Sequence, residues 1–302
     1  MNTTVVAAPR RMASLLGLPP LILLCLAATW LIWGSTYLAI KFALLGFAPF
    51  FQMGSRFLVA GGLLMAWMRW RGAAWPDRVQ WRNALVVGTL MLGGGMGGTA
   101  YAEQTIGSGL VVAFIAVVPL MIAALNLLWG VKPSATEVAG IVVGLAGVLM
   151  LTQGAGFQAS PAGLIAITLA CICWSLGSVL SQRALPLAPG ATGFASEMLC
   201  GGVVLMLMSA LHGETMIWPI PAVAASAWAY LVVFGSLISF NAYMLLLARA
   251  PAGLASSYTF VNPVIAMLLG VAVAGETVTT FEWLAVSVVL GGVLLLLWRR
   301  AR

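Results

Sequence analysis

Two stretches decide how this chain is read: GLVVAFIAVVPLMIAALNLLW, residues 109–129, and GLASSYTFVNPVIAMLLGVAVA, residues 253–274. Neither contains a charged side chain, and each is long enough to cross ~30 Å of hydrocarbon as a helix rising ~1.5 Å per residue. Neither alternates in polarity at every second residue as a barrel strand does, so the spanning form is helical. The two are also copies of one another. Gly109-Leu110 and Val117-x-Pro119 recur as Gly253-Leu254 and Val261-x-Pro263 at an offset of 144, with Phe114 aligned to Tyr258.

Working outward from this pair, eight further runs reach spanning length. The ten predicted helices cover Leu21–Ile40, Phe50–Trp70, Ala84–Ala102, Gly109–Trp129, Ala135–Leu151, Pro161–Leu180, Ala191–Leu211, Ala224–Leu247, Leu254–Ala274 and Phe281–Trp298. Of the 302 residues 62% are hydrophobic and 7% charged, against about 25% charged in soluble domains, which excludes a soluble globular protein. Ten spans of ~20 residues leave only short connections. No extramembrane domain fits between them, so an ATP-driven pump would need its motor from a second chain, and no ATPase subunit is evident.

The repeat extends beyond the opening pair. Gly130, Glu137, Val143, Leu145, Gly147, Val148 and Leu149 meet Gly275, Glu282, Val288, Leu290, Gly292, Val293 and Leu294 at an offset of 145. Pro49, Gly61, Gly62 and Met68 meet Pro189, Gly201, Gly202 and Met208 at an offset of 140, while the first and sixth spans share little beyond Trp33 and Trp174. Five helices per half is an odd number, so the second half enters the membrane from the opposite side. The predicted fold class is therefore an all-α integral membrane protein of ten transmembrane helices, two inverted five-helix repeats around a central cavity.

Basic residues orient it. With the N-terminus in the cytoplasm, Arg10, Arg11, Arg69, Arg71, Arg78, Arg82, Lys132, Arg183, Arg249, Arg299, Arg300 and Arg302 lie inside and only Lys41 outside, a strong positive-inside bias. This divides the chain into a cytoplasmic N-terminal tail over 1–20, a first repeat over 21–151, a second, inverted repeat over 161–298 and a cytoplasmic C-terminal tail over 299–302. The excess of basic residues is a topology signal, and no nucleic-acid partner is expected. Trp67, Trp70, Trp75, Trp129, Trp218, Trp228 and Trp298 fall at or near span ends, where interfacial indoles belong.

Polar groups inside spans point to function, because a charge at the bilayer centre costs about 2.5 to 3.5 kcal/mol even on permissive scales. Arg56 in the second span and Glu197 in its counterpart, the seventh, are the clearest. Either one holds a substrate carboxylate or the two form a gate pair; a structural ion pair or snorkelling is the plain alternative. Glu103 and Glu276 read as solvated, His212 as an isolated interfacial histidine, and Glu137 and Glu282 as stabilisers of helix starts. Pro119 and Pro263 lie ten residues beyond Gly109 and Gly253, about 15 Å along a helix, so each predicts a gating kink near the midplane. Trp33, Tyr37, Phe114, Trp174, Tyr243, Ser257, Tyr258 and Asn262 are candidates to line a pocket with aromatic walls and polar groups. Cys25, Cys171, Cys173 and Cys200 lie in apolar runs with no metal-site spacing, and Gly93, Gly95 and Gly98 form a G-x-G-x-x-G within a span without a preceding strand. No metal and no cofactor is expected.

The segment Leu31-Ile32-Trp33-Gly34-Ser35-Thr36-Tyr37-Leu38-Ala39-Ile40-Lys41, followed by Arg56-Phe57, resembles the start of an EamA-type carrier of the drug/metabolite transporter superfamily, and Gly275-Glu276 with the Glu137 and Glu282 helices is similar to that pattern as well. The resemblance implies an inner-membrane carrier exporting amino acids, related metabolites or drugs, with its cavity among the first four helices of each half and the fifth and tenth peripheral. The expected function is export of small metabolites, amino acids first, apolar or aromatic ones among them, by alternating access. Proton-coupled efflux of cationic or aromatic drugs is the alternative, and a membrane-embedded lipid-processing enzyme the alternative from a different class. The expected partners are a small-molecule substrate and the lipid bilayer, with the protein a monomer or homodimer.

Overall fold

A computed structural model describes residues 18–106, 111, 114–152, 160–274 and 279–298. Residues 1–17 of the N-terminal tail, the C-terminal tail and Glu276 lie outside them, as do the side chains of Glu282 and Trp298, and Pro20 at the tail's expected end opens the first helix. The described residues form helices throughout. These are α1 (Pro20–Ala43), α2 (Pro49–Trp70), α3 (Arg78–Ala102), α4 (Val118–Trp129), α5 (Ala135–Thr152), α6 (Pro161–Arg183), α7 (Ala191–Leu211), α8 (Ala222–Arg249), α9 (Tyr258–Ala274, preceded by the single turn Ala252–Ala255) and α10 (Thr280–Trp298). α1, α3, α6, α7 and α8 are each long and apolar enough to cross a membrane unaided.

Local chemistry sets the helix ends. Pro20, Pro49 and Pro161 sit in first turns, where a missing N–H costs nothing. Asp77 and Gln80 form a reciprocal capping box, so α3 starts at Arg78, one and a half turns before its apolar run. Gly130, at φ 71°, turns the chain left-handed after α4, a conformation glycine adopts without strain.

Cross-links between loops show which ends share a face. Glu214, after α7, accepts from the N–H groups of Phe50 and Phe51 at the start of α2 (3.0 and 2.9 Å), and Ser160, before α6, donates to Thr105 after α3 (2.8 Å). This face is called distal below. On the opposite, proximal face Arg183 Nε donates to Asn126 Oδ1 (3.1 Å), Asn83 Nδ2 to the Pro186 carbonyl (2.9 Å) and the Gly253 N–H to Glu137 Oε1 (2.9 Å). Glu137 therefore caps the start of the ninth span rather than only its own helix.

The packing is that of two related halves. α2 packs along α7 and α5 along α10, so two pairs of counterparts meet each other. The contact of α1 with α9 has its counterpart in α6 with α4, and that of α1 with α8 in α6 with α3. Glycines allow backbones to approach where helices cross: a Cβ at Gly88 of α3 would stand 2.6 Å from the Glu197 carbonyl oxygen of α7, and one at Gly292 of α10 2.5 Å from the Gly144 nitrogen of its counterpart α5. The helical winding also repeats. Thr89–Gly97 in α3 and Leu231–Phe240 in α8 are both π-helical, at matched places in the two halves. Of the G-x-G-x-x-G residues, Gly95 and Gly98 pack on α6 and Gly93 on α7: a Cβ at Gly95 would lie 3.0 Å from the Trp174 ring, one at Gly98 3.1 Å from Ala170 and one at Gly93 3.2 Å from Val204.

Outward-facing leucines such as Leu24, Leu63 and Leu211 stay exposed on helices long enough to cross a bilayer, which fits a surface solvated by hydrocarbon. Trp67, Trp70, Trp75, Trp129 and Trp218 are exposed at helix ends, but Trp228 is not an interfacial anchor. Its ring lies 6.2 Å from that of Phe47, and its N–H donates to Ser55 Oγ at 3.0 Å.

Candidate functional site

The first helix of each half contributes one tryptophan to the centre of the bundle. Trp33 of α1 and Trp174 of α6 meet edge-on at 5.7 Å between ring centroids. Tyr258 of α9 packs edge-on against Trp33 at 4.7 Å, and Tyr243 of α8 touches both indoles, at 5.3 and 5.2 Å. Polar bonds lock the cluster. Trp174 Nε1 donates to Tyr243 Oη (3.2 Å), the Ser178 and Tyr243 hydroxyls bond at 2.9 Å, and Trp33 Nε1 donates to the Gly235 carbonyl (3.2 Å) in the π-helical stretch of α8.

On the distal side of this cluster lies a narrow cavity, with about 580 Å³ of atom-free space when the open solvent at its mouth is included. Its wall comes from the distal halves of α1, α2 and α3, the start of α4, and α6; Trp33, Tyr37, Trp174 and Tyr258 line it together with Thr36, Met53, Met96, Thr99 and Cys171. Among the described residues no charged side chain lines it. On the proximal side the aromatic floor is backed by the Arg183–Asn126 bond and by Gln182 Nε2 donating to the Leu247 carbonyl. Beyond that latch is a polar vestibule, with about 1020 Å³ of atom-free space when open solvent is included, and with Lys132, Arg183, Glu137 and Gln182 on its wall.

The floor breaks the two-fold relation of the halves. Tyr243 and Tyr258 correspond in register to Tyr101 and Phe114 on the distal side. Tyr101 stacks instead on Phe50 (5.7 Å) and on His212 (6.0 Å), and Phe114 is half-buried beside the lining residue Ile115. His212 is thus part of a stack, not an isolated ring.

The remaining candidates stand around the cavity. Tyr243 is fully buried and completes the floor from behind. Ser257, also buried, accepts the Trp30 N–H at 3.0 Å. Asn262 is buried, and its side-chain nitrogen and oxygen lack hydrogen-bond partners among the described residues. Arg56 and Glu197 are fully buried outside the cavity wall, and all their side-chain polar atoms are likewise without partners, so they do not bond each other. Pro119 differs from the expected mid-helix kink. The chain already breaks at Ala116–Val117, and Pro119 falls in the first turn of the helix that follows. Pro263 lies inside α9, whose break comes earlier, at Ser256–Ser257.

Sequence reasoning missed three groups. Gln52, one turn before Arg56, is fully buried with both amide atoms unpartnered among the described residues; its place inside a span was the available signal. Glu103 is half-buried with Oε2 enclosed and without a partner, rather than solvated. The Arg183–Asn126 latch joins residues 57 apart, and spacing carries no signal for it.

Comparison with known proteins fits this architecture. The profile of the EamA-like transporter family matches residues 20–153 and again 161–298. The uncharacterized inner membrane transporter YedA of Escherichia coli (strain K12) is 40% identical over 272 residues, covering 89% of this chain and 88% of that protein. Protein PecM of Dickeya dadantii (strain 3937) is 25% identical over 246 residues, covering 79% of this chain and 80% of its own. A solved crystal structure shares the fold at a TM-score of 0.76 and 24% identity, over 92% of this chain and 98% of that one.

Proposed function

We propose that this chain, which belongs to the EamA-like transporter family, exports small metabolites across the inner membrane by alternating access, amino acids with apolar or aromatic side chains first among them. The observation that carries the reading is the aromatic-walled cavity with a hydrogen-bonded aromatic floor on its proximal side. Tyr243 and Tyr258 seal its proximal side while their counterparts Tyr101 and Phe114 stand elsewhere. A two-fold related pair of seals, of which one is closed, is what an alternating site requires. The positive-inside bias assigns the proximal face to the cytoplasm, with both termini there, and the distal face to the periplasm. Substrate enters from the polar vestibule, passes the aromatic floor when the latch opens, and leaves from the cavity in the state described.

The rings suit such a load. Trp and Tyr faces offer large apolar area with favourable edge and stacking geometries, and Thr36 and Thr99 supply hydroxyls without charge. The same rings favour a second reading, efflux of cationic aromatic drugs, because indole and phenol faces attract cations where no charged side chain competes. A panel of labelled tryptophan, phenylalanine, leucine and an aromatic quaternary ammonium, measured as counterflow in proteoliposomes, separates the two. Exchange of the amino acids with slow movement of the cation is expected; the reverse order establishes the drug reading, and exchange of neither refutes both.

A further inference from the structure

The segment that joins α2 to α3, WMRWRGAAWPDRVQWR, residues 67–82, is unlike the other connections of the proximal face. It carries Arg69, Arg71, Arg78 and Arg82, four of the seven basic residues described on that face; the others, Lys132, Arg183 and Arg249, stand one to a connection. A topology signal needs only a surplus of positive charge, and single residues supply it elsewhere. Here the cations are built into an aromatic surface. Trp67 and Trp70 pack at 5.0 Å between ring centroids, and Trp75 and Trp81 at 5.9 Å. The Arg71 guanidinium lies 5.9 Å from the Trp67 ring and that of Arg69 5.6 Å from the Trp75 ring, while Arg69 Nη1 donates to the Ala73 carbonyl. Arg69 thereby ties the loop back to the end of α2, and Trp75 carries the contact on to the first turn of α3.

The charge is uncompensated and the rings are uncovered. Asp77 is the one acidic residue in the segment, and its Oδ1 is engaged by the Gln80 N–H in the capping box. Among the described residues none of the four arginines forms an ion pair. All four are exposed, and Trp67, Trp70 and Trp75 are each more than half exposed. Indoles at a span end settle at the depth of the lipid headgroups, and a guanidinium held beside them can meet a phosphate with two parallel N–H groups. We propose that this segment is a binding site for an anionic phospholipid of the proximal leaflet. The four arginines supply the counter-charge for the headgroup, and Trp67, Trp70 and Trp75 form the apolar bed for the upper part of the acyl chains. Four arginines less Asp77 leave three positive charges, which favours an anionic headgroup over a zwitterionic one. The site lies outside the transport cavity and does not depend on which solute is carried.

The test is made on purified protein in neutral detergent, titrated with phosphatidylglycerol or phosphatidylcholine whose acyl chains are brominated and quench the fluorescence of tryptophans they touch. A basic residue beside an anionic lipid surface is worth about fivefold in affinity. The wild type should therefore bind phosphatidylglycerol at least about 25-fold more tightly than phosphatidylcholine. Arg69→Gln/Arg71→Gln should cut this preference by about 25-fold. Lys132→Gln/Arg249→Gln removes the same charge from the same face and should leave it within twofold. An equal loss in the two double variants makes the effect the diffuse field of a basic face and overturns the site. Equal binding of the two lipids by the wild type overturns it as well, and so does displacement of phosphatidylglycerol by soluble glycerol phosphate at matched concentration, which assigns the arginines to free anions. Should the first pair fail to fold, Arg78→Gln/Arg82→Gln repeats the measurement at the other end of the segment, and a preference retained there overturns the proposal.

Discussion

Tyr243→Phe is the most informative single change, because it removes one oxygen from the seal and leaves the ring in place. In the state described, Tyr243 Oη accepts the buried Trp174 N–H at 3.2 Å and bonds Ser178 Oγ at 2.9 Å. Ser178 keeps its 2.7 Å bond to the Trp174 carbonyl, but the indole N–H loses its acceptor. A buried donor stranded in this way costs about 1–3 kcal/mol. When the seal opens toward the vestibule, water can satisfy the same N–H, so the penalty falls on the closed form alone. It then shifts the equilibrium toward the proximally open form by about 5- to 150-fold. A cysteine at Ala255, fully buried three residues before Tyr258, reports this population when the four native cysteines are replaced. Its rate of modification by a membrane-impermeant thiol reagent, applied at the proximal face, should rise by about fivefold or more in Tyr243→Phe. A change of less than twofold, in a variant that melts within a degree of its parent, would refute the reasoning that these hydrogen bonds hold the seal.

Other consequences follow from the same contacts. Gly88→Leu places a side chain where even a Cβ stands 2.6 Å from a backbone oxygen of α7; the overpacking should remove about 1–3 kcal/mol, seen as a lower melting temperature in detergent. Glu137→Ala strands the Gly253 N–H at the proximal start of the ninth span, and should destabilise by about 1–2 kcal/mol while Glu137→Gln, which keeps an acceptor, recovers most of it. Asn262→Trp should block transport across the whole substrate panel; wild-type rates would place the substrate elsewhere. Cysteines at the exposed Leu45 and at Gly213 should label from the periplasm and one at Ala73 should not, and reversed labelling would invert the orientation.

The spans were legible because the bilayer demands long apolar runs, and the offset of about 141 between Trp33 and Trp174 already marked two residues that meet at 5.7 Å. Tyr37 and Tyr258 could be placed beside them because lining residues on a helix recur with its turn. What the sequence hid has physical causes. The break in the ninth span falls at Ser256–Ser257, where both hydroxyls bond carbonyls of the preceding turn, and serine pairs carry no breaking signal as strong as that of Pro263. The π-helical stretches of α3 and α8 leave no mark in hydropathy, since a wider winding keeps the same composition. Glu103 read as solvated because it ends a span; the enclosure of its Oε2 depends on neighbours that no local pattern names. Arg56 was found by its charge, but its place behind the cavity wall follows from the packing of α2 against α8, which is a tertiary fact.

The central claim, one cavity exposed to each face in turn, is tested most directly by locking the proximal latch. Arg183 Nε and Asn126 Oδ1 are 3.1 Å apart, so cysteines at Arg183 and Asn126 in a cysteine-free background can be joined by a bifunctional methanethiosulfonate of matching reach. The account predicts that the bridged protein still binds substrate from the distal face, that its counterflow falls to the level of empty liposomes, and that reduction restores it. Bridged protein that exchanges substrate at the unbridged rate would contradict the account.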